Sequence, residues 1–446
     1  MFIRHALSLL NQWREYPHRK PLIIRGPRQV GKTTVVHQFG QSFESYLYYN
    51  LDKEDDRLML ERPIPLEHLL PLLFARQGKA YHPEQALLFI DEIQTSPSTM
   101  SKLRYFYEDH PELCVVAAGS LLENVVDIHA SFPVGRVDYM ALRPCSFREF
   151  LTAMGKEHLH VFLDTPEYLD AIHNELMSLF NQYIIVGGMP EVVNAFSQNH
   201  DPLAQDRLYR QLLQGYRDDV EKYVLGRKMT DVVRLLLDKG WQYAGQTIAL
   251  GNLCDSGYSS KEVGEAFRLL EKAMLVERVY PTTSTCIPSM PQLKRQPKLI
   301  WFDTGLVNYA AGVRKEVIGA NDVVDVWRGR IAEHVVAQEL LALNDDVSQK
   351  RSFWMKEGGG GSAEVDFIWT LDSCIIPIEV KNGHNSHLRS LHAFVDASPV
   401  GVAVRVWSGK YSIDDVQTTI KHKPFKLINL PFYLICNLEK IVRQYL

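Results

Sequence analysis

A chain of 446 residues is too long for one ordinary hydrophobic core, and its length predicts about three domains. The composition, 46% hydrophobic and 23% charged, is that of a globular protein, and a formal net charge of -4 excludes a molecule coated in basic surface. Any nucleic-acid contact must then come from local patches.

The N-terminus, Met1 to Trp13, has no small-residue cleavage pattern, and no apolar run nears the roughly 20 residues of a membrane span. Six cysteines are scattered without CxxC or zinc-ligand spacing and read as reduced thiols. A cytoplasmic protein with no membrane association is expected.

The first predicted strand, Leu22-Ile23-Ile24, runs into Gly26-Pro27-Arg28-Gln29-Val30-Gly31-Lys32-Thr33 and then into a helix beginning Thr34-Val35-Val36. This is the P-loop pattern. Gly26 and Gly31 permit the backbone angles and close approach of a phosphate cradle, Lys32 reaches the outer phosphates, and the Thr33 hydroxyl ligates Mg²⁺. Thr34 completes the nucleotide-binding set, and the free N–H groups and positive end of the helix face the same space. A plain glycine turn is the competing reading, and the complete match in a strand–turn–helix context disfavours it.

Tyr46 to Asn50 reads as a second strand, and two buried parallel strands follow at Leu87 to Ile90 and Leu113 to Gly119. The first ends in Asp91-Glu92, about sixty positions after the P-loop; Asp91 is expected to hold Mg²⁺ through water and Glu92 to polarise the attacking water. The second ends at Ser120, a candidate for orienting the same water. Arg136 and Arg143 follow the sheet and are candidates for positive charge at the transition state, in cis or from a neighbouring subunit; surface ion pairing is the alternative for each. Strands alternating with helices predict an α/β sheet with ligand at the strands' carboxyl ends.

From about Phe147 to Val224 the chain reads as a helical lid, broken at Val186-Gly187-Gly188-Met189-Pro190. Two short helices come next, at Gln246 to Leu253 and from Ser259 or Ser260, followed by strands near Met274 to Tyr280 and Lys298 to Asp303, a winged-helix pattern. The candidate recognition helix balances Lys261, Arg268 and Lys272 against Glu262, Glu265 and Glu271, so Lys294, Arg295 and Lys298 in the hairpin region are better placed for a DNA backbone contact. A structural or subunit-contact role is the alternative. A linker near Val317 to Asp325 leads to a last module of one helix and several strands, with Gly358 to Gly361 as a hairpin tip.

Gly26 to Thr33, Leu88 to Gln94, Gly119-Ser120, Gly135-Arg136 with Leu142 to Phe150, and Gly187 to Pro190 together resemble a prokaryotic AAA-type ATPase family whose members carry a C-terminal domain of unknown function with a nuclease-like fold. The resemblance spans essentially the whole chain. It implies an α/β multidomain protein: an AAA+-like P-loop core (1–150), a helical lid (151–225), a winged-helix domain (226–316) and a restriction-endonuclease-like domain (326–446). It also implies ATP and Mg²⁺ as cofactors.

In that last domain Asp366 and Glu379-Val380-Lys381, thirteen positions apart on adjacent predicted strands, resemble with Glu333 the PD-(D/E)XK nuclease signature. Alternate side chains on a strand share a face, so Glu379 and Lys381 point into one site while Val380 faces the core. Asp366, Glu379 and Glu333 are the metal-ligating candidates and Lys381 the catalytic lysine. An ordinary half-buried strand with charged alternation is the competing reading. Lys421, Lys423 and Lys426 are the best local basic patch. The expected function is an ATPase whose nucleotide state controls a Mg²⁺-dependent nuclease-like domain acting on DNA. The alternative is an ATP-driven switch with an inactive nuclease-like scaffold, a protein partner or a homo-oligomer as its output.

Overall fold

The computed structural model describes residues 2–119, 135–224, 226–255, 257–314, 330–357, 363–381 and 388–446. Ser120, the linker near Val317 to Asp325 and the glycine run from Gly358 lie outside the described residues. Two sheets carry the architecture.

The first has five parallel strands, β1 Leu22–Arg25, β2 Ser45–Asn50, β3 Ala86–Asp91, β4 Cys114–Gly119 and β5 Asp138–Ala141, in the order β2-β3-β4-β1-β5. β3 and β4 are buried along their whole length, as continuous apolar runs require when helices cover both faces. One face packs Leu69, Leu73 and Phe106; the other packs Leu10, Val36 and Phe39. Helices α1 Ala6–Glu15 and α2 Lys32–Gly40 lie together on the second face. The P-loop strand β1 thus lies inside the sheet between β4 and β5, and β4 alone separates it from the acidic strand β3.

The second sheet has eight strands in the order β12-β13-β11-β10-β9-β8-β6-β7. They are β6 Val276–Thr282, β7 Lys298–Trp301, β8 Ser352–Met355, β9 Glu364–Leu371, β10 Cys374–Lys381, β11 Val402–Trp407, β12 Ser412–Gln417 and β13 Pro424–Pro431. The strands expected as a separate wing therefore belong to the larger sheet. The first half of β6 pairs antiparallel with β7, and its second half pairs parallel with β8, Tyr280 opposite Ser352. A free wing would leave that half of β6 with unpaired backbone groups.

In the chain, the strands of the two sheets are separated by the helices Phe147–Ala153, His173–Val186, Pro190–Asn199 and Asp206–Tyr223. Their apolar faces, those of the helices Arg227–Lys239 and Ser260–Lys272, and one face of the eight-stranded sheet form a single core from Phe147 to Val442. Ser259 caps the helix Ser260–Lys272 in a capping box with Glu262. The segment before it, expected as a helix, is a short 3-10 turn at Leu250–Asp255.

The break at Gly187-Gly188 has a packing cause. Gly187 sits at φ 72°, and a Cβ there would stand 2.5 Å from the Gly305 amide nitrogen and 2.6 Å from Asp303 Oδ1. The buried Asp303 carboxylate accepts from Gly188 N (2.6 Å) and Leu306 N (2.9 Å), stapling the lid to the segment after β7.

Candidate functional site

β1 delivers the chain to the P-loop, and Gly31, at φ 94°, turns it into α2. Gly26 is required for another reason: a Cβ there would stand 2.2 Å from the carbonyl oxygen of Leu142, which follows β5. Lys32 is 8% exposed, and its ammonium donates to the carbonyls of Gly26 (2.9 Å) and Pro27 (2.8 Å). Burial pulls its pKa down to about 8, against the pull of Glu92 and Asp91.

Thr33 Oγ1 donates to Asp91 Oδ2 at 2.8 Å, and the Tyr48 hydroxyl reaches the same oxygen at 3.4 Å. Thr34, the next helical residue, is half-buried. Glu92 adopts a left-handed conformation, φ 53°, and its Oε2 accepts from Gln94 Nε2 at 2.5 Å. Burial raises its pKa. A non-glycine residue held there stores backbone strain, and the hydrogen bond fixes where the carboxylate points. Thr33, Asp91 and Glu92 thus meet at the mouth of the cradle, with donors and acidic oxygens fitting a nucleotide phosphate and its Mg²⁺.

Two arginine anchors escaped sequence reading. Arg28, inside the P-loop, forms an ion pair with Asp219 of the lid helix Asp206–Tyr223, and Tyr216 of that helix donates to Arg28 O at 3.2 Å. Arg4 donates to Val30 O (3.1 Å), Arg143 O (2.8 Å) and Glu149 Oε1 (2.8 Å), tying the P-loop to the lid's first helix. Neither depends on a local pattern.

The arginine candidates land elsewhere. Arg136 precedes β5, which runs parallel to β1, so it stands at the amino end of the sheet, opposite the P-loop, and pairs with Glu108 at 2.8 Å. It does not reach its own chain's nucleotide site. Arg143 donates to Asp346 O at 2.9 Å, and burial beside Arg351 brings its pKa down to about 10.

At the second site the structure brings together Glu333, Asp366, Glu379 and Lys381 and adds two residues. Lys381 Nζ lies 2.6 Å from Glu379 Oε1, and Val380 N donates to Asp366 Oδ2 at 2.7 Å. Lys298, expected at a DNA backbone, is instead 4% exposed, with Nζ 3.0 Å from Glu333 Oε2, 2.7 Å from Glu364 Oε1 and 3.6 Å from Asp366 Oδ1. Burial would lower its pKa, and Glu333, Asp366 and Glu364 together raise it. Burial, then Asp366, pushes Glu333 and Glu379 each up to about 7. Glu364, two residues before Asp366, was legible only as the alternation Glu-x-Asp.

Among the described residues no three His, Cys, Asp or Glu side chains are grouped so as to hold a metal ion. With an ammonium among three of its carboxylates, this arrangement does not fit a divalent cation. The basic patch is spent as well. Lys421 Nζ donates to Asp396 O at 2.9 Å, Lys423 Nζ to the carbonyls of Val395, Ser398 and Val400, and Lys426 pairs with Asp415. The first two satisfy carbonyls at and just beyond the C-terminus of the helix Arg389–Ala397.

Three family models match the chain: an AAA domain over residues 18–151, a domain of unknown function (DUF8612) over residues 177–317, and a domain of unknown function (DUF4143) over residues 328–428. Residues 18–151 are an AAA-type P-loop domain. No protein of curated function matches the chain. Among solved structures, the Aeropyrum pernix ORC1 protein in complex with DNA is 12% identical, covers 70% of this chain and 92% of its own, and gives a TM-score of 0.31. Drosophila ORC bound to DNA is 14% identical over 61% of this chain and 86% of its own, TM-score 0.29. CDC6P from Pyrobaculum aerophilum is 13% identical over 70% and 92%, TM-score 0.24. Likenesses of this strength bear on neither fold nor function. Five described cysteines, Cys114, Cys145, Cys286, Cys374 and Cys436, are free, and among the described residues no helix is long and apolar enough to cross a membrane.

Proposed function

We propose that the chain is an ATP-binding and ATP-hydrolysing switch whose nucleotide state controls a nuclease-like module acting on DNA. One observation carries the coupling: a continuous line of contacts from the P-loop to the acidic cluster. Arg28 O accepts from the Tyr216 hydroxyl, the Tyr216 ring packs edge-on against Phe302 at 5.5 Å, and Phe302 directly follows β7, which begins at Lys298.

In the AAA domain, Lys32 would leave the Gly26 and Pro27 carbonyls for the outer phosphates, Thr33 and Asp91 would hold Mg²⁺, and Glu92, aimed by Gln94, would orient and deprotonate the attacking water. Bound Mg²⁺ supplies neutralisation of phosphate charge. Arg28 exchanges Asp219 for phosphate, which frees the lid helix and shifts Tyr216. Arg136 serves only a neighbouring copy of the chain.

In the terminal module Lys381 is the catalytic lysine, and Glu333, Asp366 and Glu379 are the carboxylates of the nuclease-like site. DNA as its target rests on the resemblance of Asp366 and Glu379-x-Lys381 to the nuclease signature. Lys298 within the cluster favours a second reading, in which the module is a scaffold that binds a protein partner without cutting.

The test is ATP turnover with and without DNA, beside cleavage of plasmid and linear DNA with Mg²⁺ or Mn²⁺, in wild type, Lys32→Ala and Lys381→Ala. Loss of cutting in Lys381→Ala with ATP turnover spared supports the controlled nuclease. ATP turnover with no cutting under any metal moves the assignment to the scaffold.

A further inference from the structure

Between β6 and β7 the chain runs from Thr283 to Pro297 without an acidic residue and with prolines at Pro288, Pro291 and Pro297. Its polar groups turn inward. Gln292 N donates to Pro281 O (2.7 Å) and Gln292 Nε2 to Thr283 Oγ1 (3.0 Å), Ser289 Oγ donates to Thr282 Oγ1 (3.3 Å), and Thr285 Oγ1 donates to Ala397 O (2.9 Å). The apolar side chains turn outward: Ile287 is 46% exposed, Met290 72% and Leu293 68%. Single exposed apolar side chains are ordinary, but three on one loop that is held by its polar groups reverse the usual partition.

A second segment adds to the same surface. In the turn between β12 and β13, Ile420 is 74% exposed, and the neighbouring Lys421 Nζ donates to Asp396 O at 2.9 Å. Ser398 Oγ donates to Thr285 O at 3.2 Å, so the loop and the turn are both fastened to the end of the helix Arg389–Ala397 and the residue after it. Asp396 keeps both carboxylate oxygens buried, whereas Lys294, Arg295 and Lys421 are exposed. Arg295 is held in place, its Nε donating to Gln292 Oε1 at 2.8 Å. The surface is an apolar patch with a basic rim.

We propose that this patch docks a partner protein through a segment that carries apolar side chains flanked by aspartate or glutamate. The inference goes beyond the nucleotide-controlled reading of the terminal module and holds whether or not that module cuts DNA. Charge complementarity selects the partner: carboxylates for Lys294, Arg295 and Lys421, and aliphatic or aromatic side chains for the apolar patch. Met290 adapts to the shape it meets, while the prolines and the hydrogen bonds at the base hold the loop ready, which cuts the ordering cost of binding. Phosphate surfaces fit less well. A DNA backbone offers nothing to the apolar side chains, and anionic bilayers recruit proteins through clusters of about four to eight basic residues, more than stand here.

The experiment selects a displayed library of random linear peptides on the immobilised full chain, with counter-selection on the Met290→Ser/Leu293→Ser variant. Loop-dependent binders are expected to be enriched in Asp and Glu beside Leu, Ile, Phe or Trp. A synthetic peptide of the commonest such sequence, labelled with fluorescein, is then titrated by anisotropy. It is expected to bind wild type about tenfold more tightly than Met290→Ser/Leu293→Ser, to lose affinity to a similar extent in Lys294→Glu/Arg295→Glu, and to slow alkylation of the exposed Cys286 thiol by iodoacetamide. All four substituted side chains are exposed, so both double variants are expected to keep the wild-type Tm.

The absence of loop-dependent binders, an enrichment without acidic residues, or affinity unchanged in both double variants overturns the inference. So does loop-dependent binding of a duplex oligonucleotide or of phosphatidylglycerol vesicles that is tighter than binding of the peptide, which assigns the patch to phosphate. Failure here is distinct from failure of the ATPase or nuclease reading, which ATP turnover and DNA cleavage in Lys32→Ala and Lys381→Ala decide.

Discussion

Lys32 keeps an ammonium in a buried cradle where only two carbonyls receive it, and this makes nucleotide binding a proton-linked event. With its pKa brought down to about 8, the side chain is largely neutral above that pH in the free protein. Phosphate favours the charged form, so binding above pH 8 takes up a proton and binding well below it does not. Calorimetry of ATP binding in buffers of different ionisation enthalpy is expected to show uptake at pH 9 and none at pH 6.5. Glu92→Gln retains the hydrogen-bond geometry but not the base. We expect it to bind ATP as wild type does and to lose on the order of 100-fold in turnover, read by phosphate release beside nucleotide binding. The sequence spacing had already marked Lys32, Thr33, Asp91 and Glu92. It could not mark Arg28 or Asp219, because their ion pair spans 191 positions and no local pattern encodes it.

At the scale of elements, Gly187-Gly188 was readable as a break, and its cause was not. The left-handed φ and the approach of Asp303 and Gly305 leave no room for a side chain at Gly187. Gly187→Ala is expected to cost about 2–4 kcal/mol in chemical denaturation, combining backbone strain with overpacking. Gly78, also at positive φ but with nothing within 4 Å of an added Cβ, provides the control. Gly78→Ala is expected to cost about 1 kcal/mol, from backbone strain alone. Asp303 is likewise invisible as a staple in sequence, since Lys298 to Asp303 reads simply as a strand.

Across the whole molecule, the lid and the terminal module meet at Glu339. Its Oε1 accepts from the Tyr183 hydroxyl at 2.6 Å and from Phe147 N at 3.0 Å, and burial pushes its pKa from 4.5 up to about 7. Below pH 4.5 the carboxyl is protonated in both folded and unfolded chains. Between 4.5 and 7 the unfolded chain ionises first, so stability falls as pH rises, by at most on the order of 3 kcal/mol. Above 7 there is no further loss. Tm measured from pH 4.5 to 8 is expected to fall less steeply in Glu339→Gln, which keeps an acceptor and has no charge. The shared sheet carries a second consequence. A chain ending at residue 314 lacks β8 and exposes the Tyr280 to Thr282 half of β6, so we expect it to aggregate or to unfold at a lower denaturant concentration than the full chain.

What the sequence determined by itself was everything carried by local spacing: the strand, turn and helix around Gly31, the acids ending β3, the alternation of Glu379 and Lys381, and a helix start at Ser259 or Ser260. Period and turn chemistry act over a few residues, and a single chain displays them directly. Only the tertiary structure decided where each charge ends. Arg136 went to the amino end of its sheet because parallel pairing with β1 puts it there. Lys421 and Lys423 were consumed by carbonyls at a helix end. Lys298, which as sequence is one more basic residue of a hairpin, became a buried counter-ion because β6 joins β8 and brings β7 into the terminal module. Sheet order depends on contacts between residues far apart in the chain, and those same contacts decide which carboxylates and which cation share one site.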